Sequence, residues 1–138
     1  MQPITGCDCE ECLEIRANLG HLRWNDVLAP AVDKCFGALP LLTDEAFHAL
    51  LPAFLFRALQ DVSRENKYLE WTLYSLCGAY QEDEGETEAS AAKLRERIAN
   101  FTPAQRAAVR ALLELVRTEP SLESHHEPIA YALPAIWS

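Results

Sequence analysis

Apolar residues return every third or fourth position along most of this chain, and no run alternates apolar and polar in the manner of a half-buried strand. With only 5 glycines and no alternating β-branched segment, the pattern predicts an all-α fold. A first helix is expected over about residues 8–20, opening among Asp8, Glu10 and Glu11 and closing at Gly20. A short second helix begins at Pro30 and carries Val32, Cys35 and Phe36.

Thr43 reads as an N-cap, with Asp44 and Glu45 placed in the first turn behind it. Phe47, Leu51, Phe54, Leu55, Ala58 and Val62 then follow at steps of three and four. Pro52 interrupts that stripe: it cannot donate to the carbonyl of His48, which predicts a kink or two helices meeting there. From Lys67 to Cys77 the chain is apolar almost all round a helical wheel, as expected of a central helix, and Gly78 stops it.

Residues 81–89 carry five carboxylates and one glycine, which predicts a solvated, mobile acidic loop, followed by a short exposed helix from Ala91 to Ile98. Thr102, Pro103 and Gln105 form the strongest helix-start signal in the chain: Thr caps, Pro takes the first turn, and Gln returns a bond to the cap. Val109, Leu112, Leu113 and Val116 continue it on one face, and Pro120 closes it. Ile129, Leu133, Ile136 and Trp137 make the C-terminal segment amphipathic, so it should dock on the core. The expected architecture is a single compact, non-repeating bundle of about six helices over residues 1–138.

Charge narrows the partners. Twenty-one acidic against 12 basic residues give a net charge of −9. A chain this acidic, with no basic stripe, is unsuited to nucleic acid and to an anionic membrane surface, and it attracts a basic protein or a cation. The start has no basic and apolar leader, and no run of about eighteen apolar residues occurs, so the expected location is the cytoplasm. There the five cysteines should be reduced thiols or metal ligands rather than disulfides.

Three of those cysteines, Cys7, Cys9 and Cys12, fall within six residues and have ligand-like spacing for zinc, with His21 or Cys35 as a fourth ligand. The plain alternative places Cys9 and Cys12 one turn apart at a helix start, with Cys12 packed inward. Neighbouring carboxylates raise thiol pKa values, which opposes a redox or nucleophilic role. His125 and His126, with Glu123 and Glu127, are adjacent and diverge, as in a solvated loop. No Gly-x-Ser-x-Gly elbow and no phosphate-binding glycine loop is present, so an enzyme is disfavoured; a hydrolase would need unrecognised acid/base residues in a deep polar pocket. Trp24, Trp71, Tyr68, Tyr74, Phe47 and Phe54 fall on core stripes, whereas an exposed Trp24 or Trp137 would serve as a partner anchor.

Several blocks together resemble an uncharacterised family of small bacterial helical proteins: Cys9-Glu10-Glu11-Cys12 followed by Trp24, Leu42-Thr43-Asp44-Glu45-Ala46-Phe47, Leu51-Pro52-Ala53-Phe54-Leu55, and Phe101-Thr102-Pro103-Ala104-Gln105-Arg106. The resemblance implies a compact helical domain with no assigned activity and carries no catalytic residues; similarity in size and acidity to immunity proteins and adaptors is an analogy only. Residues and composition thus lead to a non-enzymatic binding domain that presents Glu82, Asp83, Glu84, Glu86 and Glu88 to a basic protein. A small domain with a structural zinc at Cys7, Cys9 and Cys12 is the alternative from another class.

Overall fold

A computed structural model of the chain describes residue 10, residues 39–78 and residues 84–138. Among the described residues the regular structure is helical and contains no β-strand, with five α-helices where about six were expected for the whole chain. They are α1 (Asp44–Leu59), α2 (Lys67–Cys77), α3 (Glu84–Arg97), α4 (Pro103–Arg117) and α5 (His126–Ala135), with 3-10 segments at Leu39–Leu41 and Pro120–His125. Apart from Glu10, the helix expected over residues 8–20 and the one carrying Val32, Cys35 and Phe36 lie outside the described residues. No described helix is long and apolar enough to cross a membrane.

Helix α1 starts where its cap demands: the Thr43 hydroxyl accepts from the Ala46 amide at 3.3 Å. It runs through Pro52 as one helix, so two helices do not meet there. Proline costs one backbone bond, but Phe47, Leu50, Leu51, Ala53, Phe54 and Ala58 are buried on both sides of it, and Pro52 itself faces outward. Packing thereby outweighs a local penalty of roughly 3 kcal/mol. Helix α2 is central, as its wheel implied: Leu69, Thr72, Leu73, Leu76 and Cys77 are buried. It is started by the Asn66 side chain, which accepts from the Tyr68 amide at 3.0 Å while its amide nitrogen donates to the Ala58 and Asp61 carbonyls. One asparagine thus ties the end of α1 to the beginning of α2. Gly78 closes α2 with φ of +64°, the left-handed conformation that side-chain-bearing residues resist.

The acidic stretch expected as a loop over residues 81–89 is helical from Glu84 onward, continuous with the helix expected from Ala91. Glutamates are favoured in a first helical turn, where they face the positive end of the dipole, and this outweighs their mutual repulsion. The helix is nevertheless held on by few apolar groups, Ala91 and Leu94, with Ile98 just beyond its end. The α4 capping box forms as read: Thr102 accepts from the Gln105 amide at 3.1 Å, and Gln105 accepts from the Thr102 amide at 2.8 Å.

The C-terminal segment does dock. Ile129, Ile136 and Trp137 are buried, and the Trp137 indole donates to the Leu76 carbonyl at 2.6 Å. That carbonyl belongs to the last turn of α2, where helical partners run out. Trp137 is therefore a core residue joining α2 to the chain end, as the docking expected of this segment implied, and the alternative of an exposed anchor at this position does not hold; Trp24 lies outside the described residues.

Candidate functional site

Basic and acidic side chains are distributed unequally in this fold. Four guanidinium groups donate to main-chain carbonyls: Arg95 to Ala135, Arg97 to Leu42 and Thr43, Arg106 to Ile98 and Phe101, and Arg110 to Trp137. Each accepting carbonyl lies at or beside a helix end, and those of Thr43 and Ile98 accept a main-chain amide as well. Arg97 is largely enclosed: it stacks on the Phe47 ring with 4.1 Å to the centroid, and burial draws its pKa below the ordinary guanidinium value, with Asp44 opposing. The side chains of Asp44, Glu88 and Glu114 are 73%, 66% and 59% exposed, each ion-paired at the surface with Arg97, Arg95 and Arg117 respectively, whereas Glu70 is half-buried.

Of the five acidic residues expected to meet a partner, Glu82 and Asp83 lie outside the described residues, and Glu84 opens α3. Glu86 and Glu88 are exposed on that helix. Residues two apart diverge on a helix, so the structure does not gather Glu86 and Glu88 on one face. Glu88 is also engaged internally. Its carboxylate accepts from the Tyr131 hydroxyl at 2.9 Å and from Arg95 at 3.1 Å, and these bonds hold its pKa below the usual carboxylate value. Glu88 therefore fastens α3 to α5, a role that its place in an acidic run could not reveal.

The zinc candidates Cys7, Cys9 and Cys12 lie outside the described residues, as do His21 and Cys35. Among the described residues no three His, Cys, Asp or Glu side chains are grouped to hold a metal.

The histidine pair is not a solvated loop. His125 ends the 3-10 segment and is buried at 8% exposure, and His126 opens α5. His126 Nε2 lies 3.1 Å from the Val116 carbonyl and 3.0 Å from that of Glu119. Two acceptors require that nitrogen to carry hydrogen, so the ring seals the C-terminal end of α4. His125 packs against the Tyr74 ring with centroids 6.0 Å apart. Burial lowers its pKa, the nearby Glu70 carboxylate offsets part of that, and His126 lowers it further. Adjacent in sequence, the two rings serve different neighbours because the chain changes from 3-10 to α between them.

His125 borders an open cleft of about 230 Å³ between the loop preceding α2 and the 3-10 segment. Ser63, Arg64, Leu69, Glu70, Leu122 and Ser124 line it together with His125. Glu70 accepts from the Tyr74 hydroxyl at 3.2 Å and from Lys67 at 3.3 Å. The cleft is shallow and polar, and smaller than the roughly 300–1,000 Å³ of drug-sized ligand sites. Nothing in the spacing of Ser63, Glu70 and Ser124 along the chain marked them as neighbours, since a loop and a 3-10 segment bring them together.

A family model described as a family of unknown function (DUF6714) matches residues 8–138. No curated protein and no solved structure gives a match to the chain.

Proposed function

The chain belongs to a family of unknown function, and on that premise we propose that it is a non-enzymatic protein-binding domain, of adaptor or immunity-protein kind, that offers an acidic surface to a basic protein. The observation that carries this reading is the partition of charge. Arg97, Arg106 and Arg110 are half-buried and directed to the carbonyls of their own fold, while carboxylates such as those of Glu45, Glu96 and Glu127 face solvent. The outward field is then more negative than an even mixture of the same residues would give, and such a field speeds encounter with a cationic partner.

Glu82, Asp83, Glu84 and Glu86 are the contact residues in this proposal, with Glu88 serving both the surface and the α3–α5 latch. Cytoplasmic residence follows from the same reading, as does the absence of nucleic-acid and membrane partners. The test is affinity capture from an extract of the source cells with stepwise salt elution, using the wild-type chain and the Glu82→Gln/Asp83→Asn/Glu84→Gln/Glu86→Gln variant. A basic protein that elutes at moderate salt and is lost with the variant supports the proposal. A partner that resists high salt, or binds the variant equally, refutes it.

A further inference from the structure

We propose that the cleft beside His125 binds a short, polar monocarboxylate through the Arg64 guanidinium; the inference is independent of the protein-binding role. Its starting point is the exceptional state of Arg64. Every other described arginine donates to a carbonyl, an amide oxygen or a carboxylate: Arg57 to Gln60, Arg117 to Glu114, and Arg95, Arg97, Arg106 and Arg110 as above. Arg64 alone has no such partner among the described residues, and it lines the cleft. A guanidinium offers five donors in a planar fork that matches a carboxylate with two parallel bonds.

The surroundings define the ligand. Arg64 and Glu70 are the formally charged side chains lining the cleft; Lys67 pairs with Glu70 at 3.3 Å, and Arg64 has no ion pair among the described residues. Ser63 and Ser124 add hydroxyl donors for a second ligand oxygen. A volume of about 230 Å³ admits a small organic anion and lies below the roughly 300–1,000 Å³ of drug-sized ligand sites. Glu70, lining the same cleft, repels a second negative charge, which favours a monoanion over a phosphate dianion. Burial keeps His125 neutral near pH 7, so it adds no charge that would reverse that preference.

The test is a backbone amide NMR titration of the full chain with acetate, glycolate and inorganic phosphate at constant ionic strength. The expected result is saturable shifts confined to residues 63–70 and 122–126, strongest for glycolate, with a dissociation constant on the order of 1 mM. Arg64→Gln should weaken binding about tenfold or more with little change in melting temperature, because Arg64 makes no hydrogen bond or ion pair among the described residues. Ser124→Ala should weaken it by a smaller factor. Shifts that never saturate, phosphate binding as tightly as glycolate, or an Arg64→Gln variant that binds like wild type would each overturn the proposal.

Discussion

Three buried side chains show how much depends on single polar atoms. The Trp137 indole satisfies an end-of-helix carbonyl from 61 positions earlier in the chain. Trp137→Phe removes that bond and should cost about 1–3 kcal/mol in urea unfolding, whereas an unchanged midpoint would deny the bond its role. Thr72 is the opposite case: it is fully buried, yet its hydroxyl has no hydrogen-bond partner among the described residues. Thr72→Val keeps the shape and removes the orphan group, so stability should hold or rise by about 1 kcal/mol; a clear loss would mean the hydroxyl is satisfied in solution. His125 ties stability to pH. Its folded-state pKa lies below the ordinary value of 6.5, so the unfolded chain takes up the proton first as pH falls. The His125 contribution is therefore complete above pH 6.5 and declines below it, until the folded value is passed. Melting temperatures between pH 7.5 and 5.5 should fall less steeply for His125→Gln than for wild type, and parallel slopes would contradict the assignment. None of these three roles was legible in sequence, because each depends on a neighbour supplied by another element.

Helix boundaries were far more legible, since they are set by local chemistry. Thr43, the Thr102–Gln105 box and Gly78 act through bonds and backbone angles within a few residues, and all three stand where the pattern put them. Thr102→Ala should destabilise the protein by about 1 kcal/mol in chemical denaturation. Gly78→Ala should cost about 1–2 kcal/mol through its φ of +64° rather than through crowding, because the added Cβ would meet Ser90 at an ordinary 3.6 Å. If crowding dominated, Gly78→Asn, which tolerates the left-handed region better, would be worse than Gly78→Ala. Misjudged elements share one cause. Repulsion in the 84–89 stretch and the proline in α1 were weighed locally, while helix-end electrostatics, the Glu88–Tyr131 bond and burial of Phe47, Leu51 and Phe54 decided the outcome. The cleft belongs with these, being assembled from a loop, a helix start and a 3-10 segment.

At the scale of the whole molecule, composition gave the net charge of −9 but not its arrangement. Arg97, Arg106 and Arg110 are half-buried against carbonyls of the fold, while carboxylates such as those of Glu45, Glu96 and Glu127 are exposed, which makes the outer field predominantly acidic. The histidine pair, expected in a solvated loop, instead packs against Tyr74 and seals α4. A binding role predicts that association is governed by this field and weakens with ionic strength, since charges at a contact rim are screened over about 10 Å at 0.1 M salt. The most direct test is the dissociation constant of the captured partner measured from 0.05 to 0.5 M salt, for wild type and for the four-residue neutralised variant. The charge partition predicts a steep loss of affinity with salt for wild type and a shallower slope from a weaker start for the variant. Two flat, superimposable lines would contradict it and show that the acidic surface is not what the partner recognises.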